Sequence, residues 1–133
     1  MSKSVVQSAG APRAIGPYSQ AVQLDIGPKG GRTLYCSGQI GLDPSTGELV
    51  PGGFEEQARR VLANLRAVVE TSGMTLADAV KVTVYVTDLG DFPKLNAVFT
   101  ETFAEPYPAR ATVQVSALPK GALVEIDLFA AQG

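Results

Sequence analysis

Histidine is absent from the 133-residue sequence, tryptophan is absent too, and cysteine occurs only once. Without histidine the chain lacks the commonest general base, and a single cysteine leaves neither an internal disulfide nor a Cys/His metal cluster. Acid–base chemistry must therefore use carboxylates, tyrosine, lysine, the thiol or bound water. Cys36 lies in a predicted strand with no visible activating base, so a reactive nucleophile is the less favoured interpretation.

Charge is also scarce, at 18% of residues with a net charge of −2, which argues against a nucleic-acid binder that relies on a basic surface. No apolar run approaches the ~20 residues that span a bilayer, and the N-terminus lacks an apolar signal-peptide core. We therefore expect a cytoplasmic protein with no membrane or nucleic-acid partner. The length and the 45% hydrophobic content predict one globular domain over residues 1–133.

Apolar periodicity predicts the element order β-β-α-β-α-β-β. The predicted strands cover about 18–25, 33–38 and 80–87, the predicted helices cover about 54–72 and 92–104, and a hairpin covers 108–129. Two amphipathic helices can cover one face of a mixed sheet, so the predicted fold class is a two-layer α+β domain.

The predicted hairpin has two alternating runs joined by Leu118-Pro119-Lys120-Gly121. A two-residue turn at Lys120-Gly121 pairs Ser116 with Glu125, Gln114 with Asp127 and Arg110 with Ala131. This register separates Arg110 from Glu125 by roughly 20 Å along the strands. If both residues are catalytic, the site must be built across a subunit interface.

The same register predicts which side chains face the helices and which lie on the uncovered face. The helix side receives Val113, Val115, Val124, Ile126 and Leu128. The uncovered face receives Thr83, Tyr85, Arg110, Thr112, Gln114, Glu125 and Phe129. Because this second set is too uncharged for a solvated surface and too polar for a core, it indicates a homo-oligomer in which sheets pack against sheets.

Three side chains have both a functional and a structural interpretation. Arg110 offers a planar donor fork for a carboxylate, or it forms a structural ion pair. Glu125 is a general base or water-orienting group with a pKa adjusted by its apolar strand, or a solvated charge at a strand edge. Tyr18, in the loop after Gly16-Pro17, binds a substrate or simply packs.

Four motifs in order, together covering nearly the whole chain, resemble the RidA (reactive intermediate deaminase, YjgF-type) family. They are residues 14–21 (AIGPYSQA), 37–40 (SGQI), Asp88-Leu89 with Asn96, and the block from Pro108-Ala109-Arg110 to LPKGALVEI at 118–126. The resemblance implies a chorismate-mutase-like fold and a homotrimer whose sheets line a central barrel, with sites in the clefts between subunits.

The resemblance also implies a function: hydrolysis of 2-imino acids such as 2-iminopropanoate and 2-iminobutanoate, and of their enamine tautomers, to 2-keto acids and ammonia without a metal or organic cofactor. Family roles fall on Arg110 for the substrate carboxylate and on Glu125 for the water. The pocket lining would be Tyr18, Ser37, Gly38, Asn96 and Thr112. Thr112 departs from the cysteine of archetypal members, which puts thiol-dependent behaviour there in doubt.

Two other functions fit parts of the pattern. A non-catalytic regulatory module that binds small carboxylates would use Arg110 and Tyr18 but tolerate Glu125→Gln. An endoribonuclease or translation inhibitor, an activity also attached to the family, fits poorly with a net charge of −2 and no histidine.

Overall fold

Six strands form one mixed sheet in the order β1-β2-β3-β6-β4-β5, in a computed structural model that describes all residues 1–133. The strands are β1 (Ser2–Val6), β2 (Ala21–Ile26), β3 (Gly31–Ile40), β4 (Ala79–Val86), β5 (Ala109–Gln114) and β6 (Val124–Gln132). The helices are α1 (Phe54–Thr71) and α2 (Phe92–Thr102). The predicted α+β class is confirmed. Neither helix is long and apolar enough to cross a membrane.

Helix α1 forms because apolar residues recur at helical spacing, and seven of them are buried on the side that packs against β3 and β6. These residues are Phe54, Ala58, Val61, Leu62, Leu65, Val68 and Val69. The helix ends where Gly73 adopts a φ of 88°, a conformation that costs glycine little. Beneath it, Leu34, Val82 and Leu128 are fully buried on the helix face of the sheet, each worth about 1.5–3 kcal/mol of burial free energy.

The predicted hairpin between β5 and β6 is wrong. Strand β6 pairs antiparallel with both β3 and β4, whereas β5 lies at the sheet edge and pairs with β4 in parallel. The physical reason is the crossover through α2, since a strand, a helix and a second strand return in the same direction. A short helical turn at Pro119–Gly121 separates β5 from β6, and Lys120 there has a φ of 57°.

The predicted faces of β5 are wrong as well, because the parallel register inverts them. Arg110 aligns with Val82 and Thr112 with Val84, and these valines are fully buried under the helices. Arg110, Thr112 and Gln114 therefore point to the helix side, and Val113 lies on the uncovered face. The predictions for β4 and β6 are confirmed, since Val124, Ile126 and Leu128 are buried and Glu125, Asp127 and Phe129 occupy the opposite face.

Strand β1 adds an eighth element ahead of the seven predicted ones. Its Lys3 pairs with Leu24 of β2, and only Val6 among its five residues is buried. The other predicted elements are present with boundaries shifted by a few residues, and the glycine-rich loop 27–30 closes the β2–β3 hairpin.

Candidate active site

Glu125 faces a small cavity of about 60 Å³ at the start of β6. The cavity is also lined by Tyr18 and Ile15 from the loop before β2 and by Gly38 from β3. The carboxylate accepts no hydrogen bond and forms no ion pair with any residue of the chain. A half-buried carboxylate without a partner is costly to folding, which favours a functional interpretation over a structural one.

The environment of Glu125 raises the pKa of its carboxyl group. Desolvation is the main cause, and the negative charge of Asp127, two residues along the same strand face, adds to it. Asp127 is itself held by the Tyr85 hydroxyl, which donates to its Oδ2 at 3.0 Å. A raised pKa makes a carboxylate a stronger base, which favours a role in proton transfer.

Gly38 is required for the position of this carboxylate. A Cβ atom at residue 38 would lie 2.7 Å from Oε2 and 2.9 Å from Cδ of Glu125. The neighbouring Ser37 donates its hydroxyl to the Ser19 carbonyl at 2.6 Å, which joins β3 to the loop that carries Tyr18. The Ser37 side chain lines neither this cavity nor that of Arg110.

Tyr18 is nearly half exposed, and its hydroxyl accepts the Ile15 backbone N–H at 3.2 Å. The ring therefore forms part of the cavity wall, and its hydroxyl can still donate a hydrogen bond to a ligand. The buried Gln20 fixes this loop: its amide bonds the Ser8 N–H and the carbonyls of Ser8, Ala11 and Pro12.

Arg110 lies at a different, wider cleft of about 300 Å³, together with Asn96, Phe99 and Tyr107. Its Nη2 donates to Asn96 Oδ1 at 2.7 Å, and its guanidinium carbon lies 4.8 Å from the centre of the Phe99 ring. No carboxylate of the chain lies within ion-pair distance, so the structural ion pair considered for Arg110 is not present. Partial burial lowers the pKa of the guanidinium from its ordinary value, yet the group stays charged.

Thr112 follows Arg110 on the same face of β5, and its buried hydroxyl has no hydrogen-bond partner in the chain. Thr112 lines neither the Arg110 cleft nor the Glu125 cavity, so its part in the pocket stays a prediction. Asn96 and Arg110 thus form one group, and Tyr18, Gly38 and Glu125 form a second.

The two groups do not meet within one chain. Arg110 aligns with Val82 and Glu125 with Tyr85, so their Cα atoms are three residues apart along β4 and two strands apart across the sheet. Three residues along a strand and two strands across the sheet each span ~10 Å, so the two Cα atoms are roughly 14 Å apart. The two side chains lie on opposite faces of the sheet. The predicted distance between Arg110 and Glu125 was larger, because the predicted hairpin register was wrong. The two residues are nevertheless separated within one chain.

The polar residues of the Glu125 cavity that the sequence analysis did not assign to the site are Arg13, Gln20 and Gln39. Arg13 is the only charged residue in the Ala/Gly/Pro-rich loop 8–17, a signal that could have identified it. Cys36 is buried, and burial followed by the charge of Asp127 raises its thiol pKa to about 12. The thiol therefore stays protonated near neutral pH. The acidic residues and Cys36 form no cluster of three that could hold a metal ion.

Comparison with known proteins shows the family. The sequence profile of the family described as Endoribonuclease L-PSP matches residues 8–132. A Bos taurus protein named 2-iminobutanoate/2-iminopropanoate deaminase is 46% identical over 131 residues, which is 98% of this chain and 91% of the relative. The crystal structure of RidA from Psychrobacter sp. is 48% identical, with a TM-score of 0.88 over 97% of this chain and 99% of that one. The chain belongs to the RidA family.

Within the RidA family, one further solved structure bears on the ligand. Escherichia coli TdcF, 40% identical with a TM-score of 0.85 over 98% of this chain and 99% of TdcF, was crystallised with bound serine. Relatives in the RidA family carry several names, among them imine deaminase and endoribonuclease. Family membership therefore leaves the reaction of this chain to be argued from its own side chains.

Proposed function

We propose that the protein hydrolyses small 2-imino acids, such as 2-iminopropanoate and 2-iminobutanoate, to 2-keto acids and ammonia. The observation that carries this proposal is the Glu125 carboxylate, half-buried, without a partner and open to a cavity. The guanidinium N–H groups of Arg110 that are not bonded to Asn96 supply the second requirement, a group that binds a carboxylate. The names of the deaminase relatives and the serine bound to TdcF support a small α-carboxylate ligand.

The active site would be completed by a second subunit, in a homotrimer whose uncovered sheet faces pack together. Tyr35, Phe129 and Val113 are each more than 40% exposed on that face, and the Tyr35 and Phe129 rings pack 5.1 Å apart. Exposed apolar side chains grouped on one sheet face are typical of an association surface. Although Arg110 points to the helix side, its strand β5 is at the sheet edge, where the Arg110 cleft can meet the Glu125 cavity of a neighbouring chain.

In the first step of the proposed reaction, Arg110 binds the substrate carboxylate through two N–H groups while Asn96 holds the guanidinium in place. Glu125 accepts a proton from a water molecule as the water oxygen bonds to the C2 carbon of the protonated imine. The C=N π electron pair moves to nitrogen, and the product is a neutral carbinolamine.

In the second step, the carboxyl group of Glu125 returns its proton to the amino nitrogen. The C2–N bond then breaks, ammonia leaves with the electron pair, and the hydroxyl oxygen forms the keto C=O and loses its proton to Glu125, which passes it to solvent. No step needs an oxidant or reductant. The enamine tautomer enters after it accepts a proton at C3.

The deciding assay generates 2-iminopropanoate and 2-iminobutanoate in situ and measures keto-acid release above the spontaneous rate. We expect saturable acceleration by the protein and its loss in Glu125→Gln. A regulatory carboxylate-binding module would instead bind 2-keto acids without accelerating release. RNA cleavage that co-purifies with the protein and disappears with Arg110→Ala would support the endoribonuclease alternative.

Gly38→Ala should lower kcat/KM by about 10- to 100-fold, because the added methyl group displaces the Glu125 carboxylate by up to an ångström. Gly31→Ala is the matched control on the same strand, since the nearest atom to its new Cβ is 3.9 Å away. Steady-state kinetics of both variants, with circular dichroism to check folding, measure the effect. Equal activity in the two variants would contradict the role of Gly38.

The pH dependence of kcat/KM should show an acid limb above the ordinary glutamate pKa of about 4.3, since Glu125 must be ionised and its pKa is raised. Asp127→Asn removes a negative charge that raises this pKa, so the limb should move to lower pH. Asp25→Asn, on the remote strand β2, makes the same charge change and should not move it. An unmoved limb in Asp127→Asn would show that another group is titrating.

A further inference from the structure

A cleft of about 430 Å³ adjoins the Glu125 cavity and shares four of its residues, Pro12, Arg13, Ile15 and Leu42. Its far side is formed by Lys120 and by the loop from Pro44 to Gly47. The two cavities therefore adjoin at Arg13. A ligand with its reacting carbon at Glu125 can extend into this cleft.

The cleft carries two cations and no carboxylate among its lining residues. Arg13 is exposed and forms no ion pair or side-chain hydrogen bond in the chain, so all its donors are free. The nearest acidic side chain of the facing loop, Asp43, directs its Oδ1 to the N–H and hydroxyl of Ser45 at 2.8 and 2.7 Å.

Lys120 is held at the cleft by its own backbone and by a hydrogen bond. It is the only non-glycine residue with a positive φ, and its Nζ donates to the Gly47 carbonyl at 3.0 Å. A left-handed conformation is strained for a non-glycine residue, and such strain is often found at ligand sites. Two ammonium N–H groups of Lys120 remain free to bond an anion.

The path from Glu125 to these cations is apolar. Pro12, Ile15 and Leu42 line the shared part of the two cavities, which suits methylene groups rather than a charge. An anion at Arg13 and Lys120 would thus sit at the end of a short aliphatic side chain. The charge and the shape together favour a second carboxylate on the substrate.

We infer that Arg13 and Lys120 form a subsite for the side-chain carboxylate of dicarboxylic 2-imino acids, in particular 2-iminoglutarate. This inference rests on the proposed imine hydrolysis. Arg110 from the neighbouring subunit binds the α-carboxylate, and Glu125 lies beside C2. The substrate side chain extends past Ile15 to Arg13 and Lys120. The protein then accepts acidic 2-imino acids in addition to the small apolar ones.

The test compares kcat/KM for 2-iminoglutarate and 2-iminobutanoate, each generated in situ by an amino-acid oxidase. Arg13→Ala should lower the ratio of the two values about 10-fold or more, because a charge-assisted contact is lost for one substrate only. Lys120→Asn should change it in the same direction, since asparagine tolerates a positive φ. Arg66→Ala is the matched control, an exposed arginine on α1 outside both cavities.

If Arg13→Ala leaves the ratio of the two kcat/KM values unchanged, whether both values fall equally or neither falls, the subsite is overturned. Calorimetric binding of 2-oxoglutarate and of pyruvate separates this failure from failure of the proposed function. If the protein hydrolyses no imine but binds 2-oxoglutarate in an Arg13-dependent way, the anion subsite stands and the imine assignment falls. If Arg13→Ala leaves 2-oxoglutarate binding unchanged, the subsite falls whatever the kinetics show.

Discussion

Arg110→Ala is expected to lower kcat/KM for 2-iminopropanoate by at least about 100-fold. The guanidinium has free N–H donors and no carboxylate partner in the chain, so its removal leaves the substrate carboxylate without its charge-assisted bonds. Each such bond is worth ~1.5–3 kcal/mol, and about 2.7 kcal/mol corresponds to a 100-fold change. Keto-acid release above the spontaneous rate measures the loss.

Arg110→Lys separates the charge of this residue from its geometry. Lysine keeps the positive charge but cannot bind a carboxylate as a planar fork, so it should restore only a small part of the activity. Arg66→Ala on α1 is the control for loss of a surface arginine. An Arg110→Ala variant that retains the kcat/KM of the unmodified protein would exclude Arg110 from substrate binding.

The helices and the central strands could be predicted because each has a single apolar face. Helix α1 shows a period of 3.6 residues, and Val82, Val84 and Val86 of β4 show a period of 2 and are buried. Val80 is exposed, at the irregularity between Ala79 and Lys81. Strand β1 escaped prediction because it is a polar edge strand with one buried residue. Its pairing depends on backbone hydrogen bonds, which leave no apolar period in the sequence.

The arrangement of β5 and β6 could not be read from alternation alone. Alternation predicts which residues share a face, but not which neighbouring strand they pair with. The parallel pairing follows from the crossover through α2, and it reverses the faces of Arg110 and Val113. The strand–helix–strand order was visible in the sequence, and greater weight on it would have predicted this pairing.

The candidate site shows the same division between local and long-range information. The motif that contains Tyr18 and the one that contains Gly38 lie side by side because β2 and β3 form a hairpin. The position of Glu125 against Gly38 depends on the pairing of β6 with β3 across some 85 residues of chain, which no local pattern encodes. Arg13 became visible as a cavity residue only in the folded chain.

The proposed inter-subunit arrangement makes a prediction that no single variant can test. A mixture of Arg110→Ala and Glu125→Gln chains, each inactive alone, should recover activity when subunits exchange. One chain supplies an intact Glu125 and the other an intact Arg110, although the two residues are roughly 14 Å apart on opposite sheet faces of one chain. With random exchange at equal amounts, about a quarter of the sites in a closed ring receive both intact residues.

A second mixture separates the two architectures from the other direction. Unmodified chains are exchanged with equal amounts of the Arg110→Ala/Glu125→Gln double variant, and the activity is compared with that of unmodified chains at the same total concentration. We expect about a quarter of that activity if each site joins two chains, and about half if each chain holds a whole site. Native mass spectrometry of the exchanged oligomers confirms random mixing. Inactivity of the first mixture together with half activity of the second would place both residues in one chain's site, which the opposite orientations of Arg110 and Glu125 allow only if β5 repacks.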